Sequence, residues 1–175
     1  MNLQSILIVC EGKTDKAFLT YLKFLFQPRN NTRITIKQRK IGGGSPQDIV
    51  SYAQKYRGAF SCRVALFDTD KTKKEIKKAE DLAQRNEIHI LKIDVCLEKF
   101  LLQILNYTTR IHPDCKQYKK QLHEHYIPTT KMQQWREYQP ILPKSLLIEQ
   151  RKSIPILDEA IKYIQDGCPK STTEK

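Results

Sequence analysis

The sequence predicts an α/β protein: an open, mainly parallel four-stranded sheet flanked by helices, with a helical extension towards the C-terminus. Short apolar runs and amphipathic stretches alternate four times between Ser5 and Leu105, the rhythm of strand, crossover helix and strand. Two of those runs end abruptly in carboxylates, at Glu11 and at Asp68-Thr69-Asp70, on the edge where parallel strands deliver functional groups. Beyond Asn106 the rhythm breaks into polar, basic and aromatic residues with prolines at 113, 128, 140 and 143. The expected division is therefore a core over 1–106 and a basic helical extension over 107–175, packed on the same domain.

Residues 5–10 are short, rich in Ile, Leu and Val, and stopped by Glu11-Gly12, which describes a buried strand. Thr14 is the expected N-cap of the helix that follows, with Asp15 in its first turn and Phe18, Leu22 and Leu25 on its apolar face. A second strand over 33–41 alternates Ile34 and Ile36 with Arg33, Lys37 and Arg39, so it belongs near an edge of the sheet. After Gly42-Gly43-Gly44, Ser45, Pro46 and Asp48 form the N-cap, first residue and capping partner of a helix with Ile49, Ala53 and Tyr56 inward. The third strand is 63–67. The next helix turns Ile76, Ala79 and Ala83 inward and a dense lysine face outward. Ile88–Ile93 is the fourth strand, and an apolar helix begins at Val95. Short helices are expected over 107–150, then a helix over 153–164 closed by Gly167 and Pro169, then a frayed tail.

The 31 Lys and Arg against 19 Asp and Glu leave a net charge of +12, which makes a polyanion, DNA or RNA, the expected partner. A basic surface serving only solubility or a protein partner is the plainer alternative. No apolar run reaches the roughly 18 residues of a membrane helix, so no membrane partner is expected. The N-terminal run lacks a basic lead-in and stops at Glu11, unlike a signal peptide. Five cysteines, an odd number with no Cys-x-x-Cys pair, fit reduced thiols in a cytoplasmic protein rather than a disulfide framework. The oligomeric state has no readable signal.

Glu11, Asp68 and Asp70 share the carboxyl edge of the sheet, and alternate residues of an extended segment face one way, so Asp68 and Asp70 aim together. Hard oxygen donors suit Mg2+ or Mn2+. The plain alternative makes Glu11 a loop residue and gives Thr69 or Asp70 the capping of the next helix. Lys13 and Lys71 flank the acids, either as charge-stabilising groups or as ordinary surface lysines. The triple-glycine loop offers free N–H groups to a phosphate or is a simple turn. His112, Cys115, His123 and His125 lack a standard zinc spacing. Trp135, Tyr126 and Tyr138, interleaved with Lys131 and Arg136, either stack on bases or anchor helices on the core.

Glu11-Gly12-Lys13-Thr14-Asp15 after one strand and Asp68-Thr69-Asp70 after a later one resemble the TOPRIM domain of primases, topoisomerases and OLD-type nucleases. Val95-Cys96-Leu97-Glu98-Lys99-Phe100-Leu101-Leu102 is similar to the Cys-Phe-Glu-x-Trp-Leu-Leu segment of the RloB-like family. Leu97 and Phe100 stand where that family has Phe and Trp, and Ile93-Asp94-Val95 replaces Ser-Asn-Pro. The resemblance spans residue 5 to about residue 105. It implies Mg2+-dependent phosphodiester chemistry, a nuclease or related phosphoesterase, in a bacterial defence or mobile-element setting with a separately encoded ATPase; the alternatives are a primase-like or RNA-processing TOPRIM enzyme and a non-catalytic TOPRIM scaffold that binds nucleic acid or a partner ATPase. By position, Glu11 is general base, general acid or metal ligand, and Lys13 a catalytic cation. Asp68 and Asp70 are metal ligands, and Glu98 is a further carboxylate or simply a solvent-facing residue.

Overall fold

The computed structural model describes residues 4–27, 32–39, 44–107 and 115–169. Its strands are the apolar runs of the sequence: β1 (Gln4–Cys10), β2 (Thr32–Gln38), β3 (Cys62–Asp68) and β4 (His89–Ile93). They form one open sheet in the order β2-β1-β3-β4, every pair parallel. The charged second strand does lie at an edge. Val9 stands opposite Ala65 and Asp68 opposite Ile93, so the acid-bearing ends of β1 and β3 are neighbours at the sheet centre.

The crossovers are α1 (Lys13–Phe26), α2 (Pro46–Lys55) and α3 (Lys73–Arg85), and α4 (Leu97–Ile104) follows β4. Strand alternation sorts the apolar side chains into two layers. Leu7, Val9, Ala65 and Phe67 face Ile49, Ala53, Ala79 and Ala83 of α2 and α3. Ile6, Ile8, Val64 and Leu66 face Phe18 and Leu22 of α1 and Leu101 of α4. The chain leaves β1 towards β2, returns past β1 to β3, and continues to β4. The direction of winding therefore reverses between β1 and β3, and a crevice opens at their carboxyl ends.

Beyond α4 come α5 (Cys115–His125), a 3-10 turn at Trp135–Tyr138, α6 (Lys144–Gln150) and α7 (Pro155–Gln165). They enlarge the α1/α4 layer: Tyr118, Leu122, Tyr138, Leu147 and Ile161 belong to the same apolar cluster as the sheet. Tyr138 is fully buried, stacks on Tyr21 with centroids 6.0 Å apart, and donates to Met132 O at 3.0 Å. That excludes it from base stacking. Tyr21 Oη donates to Leu142 O at 2.6 Å, a buried bond across 121 residues of sequence. Arg151 binds Asp158 at 2.7 Å and Gln165 at 2.9 Å, tying α6 to α7.

Three local expectations are corrected. The first helix begins at Lys13, with Gly12 rather than Thr14 at the N-cap position, because the Asp15 carboxylate accepts from Gly12 N at 2.8 Å. The fourth helix begins at Leu97, since Val95 has φ +63° and cannot be helical. The thiols are not all free: Cys62 joins Cys168 and Cys96 joins Cys115, leaving Cys10 as the free, buried cysteine. Those partners are 106 and 19 residues apart and meet only through tertiary packing. Gly42, Gly43, His112 and the tail from Ser171 lie outside the described residues.

Tyr21→Phe removes the donor that satisfies a buried carbonyl. Urea unfolding is expected to show a loss of about 1–3 kcal/mol at unchanged m-value. A loss under about 0.5 kcal/mol would show that this bond does not hold the C-terminal helices to α1.

Candidate active site

The carboxyl ends of β1 and β3 open into a cavity of about 320 Å³. Five carboxylates line it: Glu11, Asp15, Asp68, Asp70 and Glu98. Asp68 is the last residue of β3 and follows Phe67, so its side chain falls on the α1/α4 side of the sheet. Its Oδ1 is inaccessible to solvent and has no hydrogen-bond partner among the described residues.

Asp70 is exposed and pairs with Lys71 at 3.4 Å. It does not cap α3. That role belongs to Thr72, whose Oγ1 accepts from Glu75 N at 3.3 Å while Glu75 Oε2 accepts from Thr72 N at 3.0 Å. Thr69 is structural as well: its N donates to Ile93 O at 2.9 Å, and its Oγ1 accepts from Val95 N at 3.0 Å. This latch fixes the end of β3 to the turn before α4. The left-handed Val95, a strained conformation for a β-branched residue, then tips the first turn of α4 over the cavity.

Glu98 lies in that first turn and is 8% exposed, so it is not a solvent-facing residue of an amphipathic helix. Asp15 lies in the first turn of α1 and is 7% exposed. Two helix N-termini thus meet at the cavity, and their unpaired N–H groups bias it towards negative charge. Lys71 and Lys119 also line it. Lys13 does not. It is exposed and borders an adjoining groove with Lys16 and Trp135. Trp135 packs on Phe24 with centroids 4.7 Å apart, and Arg136 lies over its ring at 5.1 Å.

The four-residue zinc reading gains no geometric support. Cys115 is joined to Cys96 and lies 3.3 Å from Glu98 Oε2. His123 Nδ1 is 2.9 Å from Ile127 O, and His125 rests against the Tyr107 ring. His112 is outside the described residues.

The family model for RloB-like protein matches residues 6–175, nearly the whole chain. The chain belongs to the RloB-like family. Its likeness therefore runs through the C-terminal helices, well beyond the first 105 residues that carry the legible motifs. No curated protein and no solved structure matches it.

In this RloB-like chain the cavity places like charges in a poorly solvated place, which raises the carboxyls of Asp68, Asp15 and Glu11. Burial, helped by Asp15, Glu11, Glu98 and Asp70, pushes Asp68 up to about 9. Burial raises Asp15 to about 6 against the opposing bond from Gly12 N. Glu11 is also raised by burial, partly countered by Lys71. Asp15, Lys119 and the cavity-facing orientation of Glu98 were not legible as site features. Asp15 reads as an ordinary first-turn acid, Lys119 as one lysine among many, and helix periodicity does not orient Glu98.

These residues fit a hard divalent cation: a set of oxygen donors, one of them buried without a partner, carrying more negative charge than the cavity holds unaided. In metal-free protein the folded state binds more protons than the unfolded chain, whose Asp titrates near 3.9. The stabilising contribution of these two groups is therefore fully present below about pH 4 and is lost as pH rises, by about 6 for Asp15 and by about 9 for Asp68, both losses beginning near pH 4. Thermal melts in EDTA are expected to trace that fall, and Asp68→Asn to flatten it between about pH 6 and about pH 9. A wild-type profile already flat over that interval would mean that Asp68 does not hold a proton.

Proposed function

We propose that this RloB-like chain is a Mg2+-dependent nuclease, or a related phosphoesterase, that cleaves phosphodiester bonds of nucleic acid with a TOPRIM-type acid set. The observation that carries the reading is the convergence of five carboxylates on the β1/β3 crevice around a buried, unpartnered Asp68 oxygen. Asp68, Asp70 and Glu98, joined by Asp15, would hold Mg2+ or Mn2+. When bound, the ion supplies a Lewis acid for a phosphoryl oxygen and lowers the pKa of a coordinated water.

The chain's own groups account for the rest. Glu11 is half-buried at the cavity and burial raises its carboxyl, and in this reading it takes or gives the proton of the reacting group. Glu11 also serves as a ligand in the same reading, since it borders the same cavity. Lys71 and Lys119 offset the charge of a phosphate entering beside the acids. Lys13 and Lys16 provide cations along the adjoining groove, and the indole of Trp135 a face for a base. The net charge of +12 supports a polyanionic substrate. Family resemblance adds a bacterial defence or mobile-element setting with a separately encoded ATPase.

The double variant Asp68→Ala, Asp70→Ala tests this on a panel of single- and double-stranded DNA and RNA with Mg2+ or Mn2+. Cleavage is expected to fall by at least about 100-fold, while fluorescence anisotropy shows nucleic-acid binding within a few-fold of wild type. Wild-type protein that binds the panel without cutting it would make the chain a non-catalytic nucleic-acid scaffold. Cutting that survives in the double variant would place the chemistry elsewhere.

A further inference from the structure

We infer that Cys62, His89 and Cys168 form a zinc site at the amino-terminal edge of the sheet, separate from the carboxylates. Cys62 opens β3, His89 opens β4, and Cys168 follows α7. One donor atom from each lies within 4.8 Å of the other two. Tetrahedral zinc, with Zn–S near 2.3 Å and Zn–N near 2.0–2.1 Å, sets its donors about 3.5–3.8 Å apart, a spacing the two sulfurs reach by side-chain rotation once their bond is reduced. Six residues of β3 separate Cys62 from Asp68, about 20 Å of extended chain, so the two sites are independent.

The backbone is shaped to bring the three donors together. Gly167 has φ +86°, a left-handed turn that folds the chain back after α7 and presents Cys168 to the sheet. A Cβ there would collide with the side chain of Gln4. Glu87 has φ +52° and turns the chain out of α3 so that His89 begins β4 opposite Val64, two residues along β3 from Cys62.

The imidazole distinguishes a metal site from a plain crosslink. A disulfide uses two sulfurs and has no role for the third donor. Among the described residues the His89 ring makes no hydrogen bond, and it rests against the Tyr163 ring with centroids 5.5 Å apart. A cavity of about 550 Å³ opens beside the three donors, with room for water as the fourth ligand. Two thiolates and an imidazole are a borderline-soft set, suited to zinc and ill suited to Mg2+. Two thiolates also cancel the ionic charge, leaving a neutral centre in a half-buried position.

The Cys62 and Cys168 sulfurs are bonded in the structure, so loading starts with reduction. A dithiol reductant gives two electrons and two protons to the disulfide and becomes a disulfide itself. Zn2+ then displaces the two thiol protons and takes the imidazole as a neutral ligand. The metal would clamp the segment after α7 to β3 and β4.

The test uses full-length protein, reduced with a dithiol, loaded with zinc in the presence of excess Mg2+ and desalted. With Cys115→Ser as the common background, which removes the second sulfur pair that the same reduction frees beside Glu98, elemental analysis is expected to find one zinc per chain with the rest of the sequence intact and with Asp68→Asn. Less than about a tenth of that is expected in Cys62→Ser, His89→Ala and Cys168→Ser. Cobalt in place of zinc is expected to give thiolate charge-transfer absorption and tetrahedral ligand-field bands in that background, a readout that needs no further variant. A Cys115→Ser protein that retains no zinc and gives no such bands would overturn the site, as would undiminished zinc in a folded His89→Ala protein. Retention in Asp68→Asn keeps this result separate from the fate of the nuclease reading.

Discussion

The crevice is governed by one electrostatic constraint: several carboxyl groups share a volume too small and too dry to keep them all ionised. At an effective dielectric near 20, two unit charges about 4 Å apart interact by about 4 kcal/mol, enough to displace a titration by several units. The chain answers with helix N-termini, with Lys71 and Lys119, and with protons. Asp68 bears most of the cost, because its Oδ1 is both buried and without a partner among the described residues. A divalent cation bound there would relieve that cost, which is the physical content of the proposed metal reading.

Everything that positions Asp68 follows from strand geometry and two short connections. Parallel pairing sets the ends of β1 and β3 side by side, and alternation sends Phe67 to one layer and Asp68 to the other. Thr69 spends its backbone N–H and its hydroxyl on the β4–α4 turn rather than on capping α3. The strained Val95 is tolerated there because its amide is held by that hydroxyl. The result is that Glu98, thirty residues after Asp68, arrives at the same cavity. The C-terminal helices contribute in two ways. Tyr138 and Tyr21 close the layer that covers the acids, and α5 supplies Lys119 to the cavity wall.

Apolar runs of strand length, helix periodicity and the Ser45/Asp48 cap were all readable directly, because each depends on neighbours within a few residues. The same holds for Glu11, Asp68 and Asp70, since an acid that abruptly ends a buried strand lies at a predictable edge. Asp15 reads as a helix-terminal acid, a correct local statement that omits its burial. Adjacency in sequence groups Lys13 with the acids, whereas the turn into α1 sends it to the neighbouring groove. The cysteine pairings leave no local signal. Spacing carries information only for partners within a turn or two, and these pairs close over 19 and 106 residues.

The sequence by itself determined the class of the sheet, the order of its elements and the identity of the acids at two strand ends. These follow from side-chain period and from the abrupt change from apolar to charged residues. Only the tertiary structure decided which helices cover which face, that Asp15 and Glu98 join the acid cavity, and that Cys62, His89 and Cys168 meet at the opposite edge. Those outcomes depend on crossover direction and helix packing, long-range contacts whose energies are spread over many apolar residues and leave no local mark on the chain.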